Sequence, residues 1–160
     1  MTISPQLEAR LGELMRRYPA GYSRAALVPM LLYAQDETGR ITEELVEEIA
    51  SRLQITALEV NEVVSYYSML RRRLAGRHHV QICTNISCLL QGAEQLYRHA
   101  QSRLTVGPRQ VSADGLFSLE EVECIGACCW APAIQVNYQF HHRMTPEKFD
   151  ALVEELRGRG

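Results

Sequence analysis

HVQICTNISC, residues 79–88, alternates like a short strand and runs straight into a pair of cysteines. LFSLEEVECIGACC, residues 116–129, repeats the arrangement: a strand-like run, then Cys124, Cys128 and, directly after, Cys129. Five cysteines occur in the chain and none falls outside positions 83–129. Thiolates grouped in this way usually hold iron or zinc. If the two strands are neighbours in one sheet, both loops meet at one edge and four thiols converge from two directions.

The residues between these strands complete an α/β pattern. A helix is expected from about Leu89 to Gln101, burying Leu90, Ala93, Leu96 and Tyr97. A polar loop over 105–115 ends in the turn signal Asp114-Gly115. Within the second strand the alternation slips at Glu120-Glu121, which suggests a bulge. Ile134, Val136, Tyr138 and Phe140 alternate along a further strand. Thr145 caps a last helix with Pro146 at its first position, Phe149, Leu152, Val153 and Leu156 on the buried face and Gly158 at the end. Strand, helix, strand, strand, helix gives an α/β domain.

Upstream the pattern is helical. Ser4 caps a helix beginning at Pro5, with Leu7, Leu11, Leu14 and Met15 on one face. Ser23 opens a second, burying Leu27, Met30, Leu31 and Ala34; Pro29 calls for a kink or a late start, and Gly39 stops it. Thr42 caps a third, with Leu45, Val46, Ile49 and Leu53 inward and Glu43, Glu44, Glu47 and Glu48 as a solvated face. Thr56 and Glu59 make a capping box for a fourth, carrying Val60, Val63, Val64 and Tyr67. Four short helices suggest a small bundle. The basic run Arg71–Arg73, with Gly76, Arg77 and His78, breaks the pattern and reads as a linker or a contact for phosphate or a partner. The fold expected is therefore α/β: a small helical bundle over 1–76, then an α/β domain over 77–160.

Hydrophobic content of 46% and charged content of 22% suit a globular protein. A net charge of −2 gives no electrostatic reason to expect a nucleic-acid partner. The N-terminal stretch has no apolar core of a secretory signal, and no run approaches the roughly 18 apolar residues of a membrane span. The chain is therefore expected to be cytoplasmic or a peripheral subunit, and in a reducing compartment grouped cysteines are more often metal ligands than disulfides.

Spacing alone leaves the bound species open. The pairs are C-x4-C and C-x3-C. Structural zinc tolerates such spacings; ferredoxin patterns also set one C-x4-C segment against distant cysteines. Thr84, Asn85, Ser87, Gly126 and Ala127 are small or polar, which lets backbone N–H groups approach cluster sulfurs. A redox dithiol needs C-x-x-C before a helix, which is absent here. His78, His79, His141 and His142 lie outside both loops, against a histidine-ligated cluster.

CTNISCLLQGAEQLY (83–97), ADGLFSLEEVECIGACCWAPAIQVN (113–137) and TPEKFDALVEEL (145–156) resemble one family, the thioredoxin-like [2Fe–2S] ferredoxin subunit of respiratory complex I, the NADH:quinone oxidoreductase. YPAGYSRAALVPMLLYAQDETGRI (18–41) and VVSYYSML (63–70) extend the resemblance over essentially the whole chain. The resemblance implies a thioredoxin-like second domain and one [2Fe–2S] cluster held by Cys83, Cys88, Cys124 and Cys128, with Pro132 close to it. It implies docking on the flavin subunit that carries FMN and NADH, alongside other peripheral-arm subunits, at the inner membrane but not inserted in it. The chain would be a non-catalytic electron-transfer subunit of that enzyme, its cluster exchanging electrons with the flavin beside the main path to quinone. Similar subunits serve NAD-dependent formate dehydrogenases and NAD(P)-reducing hydrogenases, which leaves the host complex open; a zinc-stabilised interaction module is the remaining alternative. Cys129 departs from the family pattern. It reads as a thiol beside the cluster rather than a ligand, and Trp130 after it as a shield or a packing residue.

Overall fold

The computed structural model describes residues 3–108 and 110–158; Met1, Thr2, Arg109, Arg159 and Gly160 lie outside the described residues. The chain divides into two compact units, Met1–Leu74 and Ala75–Gly160.

The first unit is four helices: α1 (Pro5–Arg16), α2 (Leu27–Thr38), α3 (Glu43–Leu53) and α4 (Ala57–Tyr66). Their starts follow the caps in the sequence. Ser4 accepts the Leu7 N–H, Thr42 accepts the Leu45 N–H, and Thr56 and Glu59 form a reciprocal capping box. Pro29 delays α2: a short 3₁₀ turn, Ser23–Ala26, precedes it, and Gly39 ends it in the left-handed conformation at φ 76°. Leu7, Leu11, Met30, Leu31, Val46 and Ile49 are fully buried between the helices. Arg52 on α3 joins both oxygens of Glu8 on α1, at 2.8 and 2.5 Å, and Glu48 at 2.6 Å.

Two features of this unit depart from the pattern. Tyr67 is not on the buried face: α4 stops one residue earlier, Tyr67 turns to extended backbone and its ring is 37% exposed. The basic run is not simply a solvated linker, because buried Gln35 on α2 ties down its start. Gln35 Nε2 donates to the Met69 carbonyl at 2.9 Å, and its Oε1 accepts the Arg71 N–H. The Arg71 carbonyl accepts from Ile41 N–H at 2.7 Å, and Arg72 pairs with Glu43.

The second unit is a four-stranded mixed sheet of order β2-β1-β3-β4: β1 (His78–Cys83), β2 (Phe117–Val122), β3 (Ile134–Val136) and β4 (Gln139–His141). β1 pairs parallel with β2, while β3 is antiparallel to both β1 and β4. The helices α5 (Ile86–Leu90), α6 (Ala93–Leu104) and α7 (Pro146–Gly158) complete it. Val80, Ile82, Phe117, Leu119 and Ile134 of the sheet bury against Leu96, Ala100, Phe149 and Val153 of α6 and α7.

Three expectations change here. The helix after Cys88 is two helices, broken at Gly92, which takes a left-handed φ of 91°; Leu90 falls on the short first piece and is 77% exposed. The alternating run 134–140 is two strands of a hairpin. Asn137 and Tyr138 both take positive φ, 45° and 69°, as a tight two-residue turn needs. Asn137 secures the turn by accepting from His79 N–H at 2.9 Å and donating to the Arg77 carbonyl at 2.7 Å. No bulge occurs in β2: its register with β1 runs unbroken from His78↔Phe117 to Cys83↔Val122. The alternation slips at Glu121, which is in phase with core-facing Phe117 and Leu119 but is exposed at the strand's end; Glu120 keeps the face of Ser118, buried beside His79 and Gln81, whose side chains reach it at 3.1 and 3.2 Å.

Candidate metal centre

The parallel pairing of β1 and β2 places the cysteines. Parallel neighbours end at the same edge of a sheet, so the chain leaves Cys83 and Val122 side by side. Thr84 N–H extends the ladder to the Val122 carbonyl at 3.1 Å, and Cys83 N–H bonds the Ala133 carbonyl at 3.3 Å. The first loop turns at once into α5, capped by Asn85, whose side chain accepts the Ile86 N–H at 2.7 Å. Cys88 therefore points back over the strand ends.

Cys83 and Cys88 are each 2% exposed and pack with Ala93, Ala127 and Ala133. Cys124 and Cys128 are exposed. Cys124 lies two residues beyond the end of β2, and its sulfur accepts the Gly126 N–H at 3.3 Å. Gly126 holds φ 75°, a conformation that suits glycine. Cys128 and Cys129 open a short 3₁₀ turn closed by Trp130 N–H on the Ala127 carbonyl at 2.9 Å. Trp130 and Pro132 carbonyls accept from Arg143 and Met144, each at 2.9 Å, which fastens this loop to the start of α7. The Ala131–Pro132 peptide is cis.

Burial pushes the Cys88 thiol up from its ordinary value; a hydrogen bond from the Ala133 backbone opposes this, and the neighbouring Cys83 and Cys128 sulfurs add to it. The two loops do touch: Ala127, from the second, packs with Cys83 and Cys88. A bound cation is what such a thiol needs to become a thiolate. Among the described residues, no three histidine, cysteine, aspartate or glutamate side chains gather closely enough to hold a single metal ion. Two thiols from each of two loops are a donor set that a two-iron centre could use.

The remaining candidates sort themselves by position. Cys129 is exposed in the 3₁₀ turn. Trp130 is half-exposed and stacks on His142 with ring centroids 4.8 Å apart, so its contact is with the β4–α7 connection. His79 does more than occupy a strand. It is 8% exposed, with Nδ1 2.8 Å from Ser118 Oγ and Nε2 3.1 Å from Glu120. Serine, histidine and glutamate in line resemble a hydrolytic triad, but Ser118 is buried and its Oγ accepts the Gly76 N–H at 3.0 Å. The trio binds β1 to β2 and offers no open nucleophile. Neither the trio, whose Glu120 keeps the phase of Ser118 along β2, nor Ala133, whose carbonyl accepts the Cys83 N–H, leaves a trace in the sequence.

The family model for thioredoxin-like [2Fe–2S] ferredoxins matches residues 11–157. The chain is 41% identical over 148 residues to NADH-quinone oxidoreductase subunit 2 of Thermus thermophilus, covering 92% of this chain and 82% of that protein. It is 36% identical over 157 residues to a subunit of the NADH-quinone oxidoreductase of Rhizobium meliloti, covering 98% and 90%. Among solved structures, an NAD+-reducing [NiFe]-hydrogenase in the H2-reduced state contains a similar fold, with a TM-score of 0.73 over 84% of this chain at 19% identity. The match takes up 22% of that longer chain.

Proposed function

Since the chain belongs to the thioredoxin-like [2Fe–2S] ferredoxin family, we propose that it is an electron-transfer subunit of an NADH–quinone oxidoreductase, with one [2Fe–2S] cluster held by Cys83, Cys88, Cys124 and Cys128. The observation that supports this is the parallel pairing of β1 and β2, from whose common end the loops carrying the two thiol pairs both leave.

The cluster, when bound, supplies a site for one electron at low potential. This chain's own residues do the rest. α5 and the 3₁₀ turn fix the second thiol of each pair. Gly126 and Ala133 aim backbone N–H groups at the Cys124 and Cys88 sulfurs, which stabilises negative charge there. Ala93, Ala127 and Ala133 keep water from the inner pair. No acid, base or nucleophile of this chain enters the reaction. NADH oxidation takes place at an FMN on a partner subunit, which this chain docks against along with other peripheral-arm subunits. Among the described residues no helix is long and apolar enough to cross a membrane.

Anaerobic purification of the full chain tests the reading. Two irons and two sulfides per chain, a brown colour and a rhombic EPR signal on reduction are expected. Cys124→Ser abolishes or strongly alters that signal, and Cys129→Ser leaves it largely intact. Zinc in place of iron, or the reverse pattern of variants, overturns the assignment. Coexpression with a flavin subunit gives a stable pair; failure to copurify argues for a free electron carrier instead.

A further inference from the structure

We propose that Lys148 is a positioning residue for the second thiol pair: through the Arg143 carbonyl it holds in place the segment that carries Cys128. What that segment binds rests on the four-thiolate reading above; that it is held does not.

The segment needs support from outside itself. Val122 ends β2 and Ile134 begins β3, and the chain between them forms a three-residue 3₁₀ turn, Cys128–Trp130. Cys124 and Cys128 are both exposed there. Two of its bonds are local, Gly126 N–H to the Cys124 sulfur and Trp130 N–H to the Ala127 carbonyl. Residues 142–144, just ahead of α7, supply more. Arg143 N–H donates to the Trp130 carbonyl and Met144 N–H to the Pro132 carbonyl, each at 2.9 Å, and the His142 ring stacks on Trp130. The first of these bonds falls two residues past Cys128.

The supporting residues are held in turn. Arg143 takes a φ of 48°, a left-handed conformation that a residue with a Cβ adopts at a cost. Its carbonyl accepts from Lys148 Nζ at 3.0 Å, and the Lys148 N–H donates to Thr145 Oγ1 at 3.3 Å. Met144 is 6% exposed in the core, and Phe149, directly after Lys148, is fully buried. Lys148 therefore stands on the first turn of a helix that the core locks in place. The two ends of one strained residue join that helix to the loop: the Arg143 carbonyl to Lys148, the Arg143 N–H to Trp130. Groups behind a metal ligand set its orientation, and Lys148 reaches Cys128 by this route.

The test uses the full chain, with and without its cluster. Trp130 is the only tryptophan, so fluorescence reads the segment directly, whether or not metal is bound. Lys148→Met removes the donor. In the metal-free chain, quenching of Trp130 by acrylamide is expected to rise. In the loaded chain, iron and sulfide per chain are expected to match the parent, the EPR lines of the reduced cluster to broaden, and iron to pass to a chelator about two- to tenfold faster, the factor for one lost hydrogen bond. Lys148→Arg, which keeps the charge and a donor on a long stem, is expected to stay with the parent. Arg98→Met removes the same charge from an exposed site on α6 and is expected to change none of these. Lys148 is exposed, so the melting temperature is expected to hold. Unchanged Trp130 quenching overturns the proposal. So does increased quenching with an unaltered EPR spectrum and rate of iron loss, an equal response to Arg98→Met, or a large fall in melting temperature, which would make Lys148 a residue of general stability. A chain that binds no iron overturns the four-thiolate reading instead, and the metal-free quenching then decides for or against the Lys148 brace.

Discussion

Replacing Gly76 with alanine destabilises the second unit while leaving the cysteine edge intact. A Cβ at this position would stand 2.4 Å from the Phe117 carbonyl carbon, 2.8 Å from its Cα and 2.7 Å from Ser118 N. Carbon atoms rest at about 3.5–4.0 Å, so the chain must part there by about 1 Å. The atoms in the way are the backbone of β2, which cannot swing aside as a side-chain tip does. The bond from Gly76 N–H to Ser118 Oγ, at 3.0 Å, is stretched in the same movement. Overpacking costs about 1–3 kcal/mol and the weakened bond about 0.5–1.5 kcal/mol, together about 2–4 kcal/mol. For a unit of this size each kcal/mol is worth about 4–8 °C, so its melting temperature falls by roughly 10–30 °C. Thermal unfolding followed by circular dichroism measures this, with Gly12→Ala as the comparison. Gly12 lies inside α1 with nothing nearer than the flexible Arg16 head at 3.7 Å, and alanine there is neutral or stabilising by up to about 1 kcal/mol. Gly76 precedes β1, whereas Cys83 ends it, about 20 Å away along the strand. The EPR signal of the reduced cluster therefore survives the substitution. A Gly76→Ala protein that melts with its parent, or that keeps its stability and loses its cluster, refutes the reasoning.

Gln35→Ala strips two buried backbone groups, the Met69 carbonyl and the Arg71 N–H, of their partner; denaturant unfolding should show a loss of about 2–4 kcal/mol in the helical unit. Asn137→Gly loses the two side-chain bonds but keeps the positive φ, whereas Asn137→Ala loses both the bonds and the favourable backbone, so alanine is the worse by about 1 kcal/mol. Stability should hold steady just above neutral pH and fall on the acid side in two stages. Burial lowers the His141 pKa, so its contribution is full above the ordinary histidine range and begins to fade below about pH 6.5. Arg52 lowers Glu8, the Thr56 backbone lowers Glu59 and the Ser112 hydroxyl lowers Asp114; these contributions fade further down, below about pH 4.5. Denaturant midpoints measured across this range check the order, and a midpoint that rises on acidification contradicts it.

Much of the fold is legible because its punctuation is local. Ser4, Thr42, Thr56 and Thr145 each announce a helix through a bond within three residues of themselves. The four thiols are legible for a related reason: each pair follows a recognisable strand, and adjacency of the strands is the one condition the residues leave open. What escapes depends on contacts distant in sequence. Asn137-Tyr138 lacks the glycine that usually marks a two-residue hairpin turn, and its positive φ is held by Asn137 reaching back to Arg77 and His79. Glu120 looks like a solvent-facing charge until His79, 41 residues earlier, is seen beside it. Gln35 has no signal at all, since its partners lie 34 and 36 residues on. The break at Gly92 is hidden by helix-compatible residues on both sides, and Leu90, spaced for the buried face of one long helix, is turned outward by that break.

The parallel pairing of β1 and β2 has a consequence for how the mature protein comes into being. Between the two thiol pairs the chain must run through α5, α6 and a long loop before returning to the same edge. Closing a flexible segment of roughly 40 residues costs about 3 kcal/mol in chain entropy. In the nascent chain a metal captured by one pair would have to bear that cost to recruit the other. In the folded sheet the core around Phe117, Leu119 and Ile82 has already met it. On the four-thiolate proposal, the fold and not the metal would then supply most of the closure, at a rim where Cys83 and Cys88 are walled in and Cys124 and Cys128 stay open to solvent.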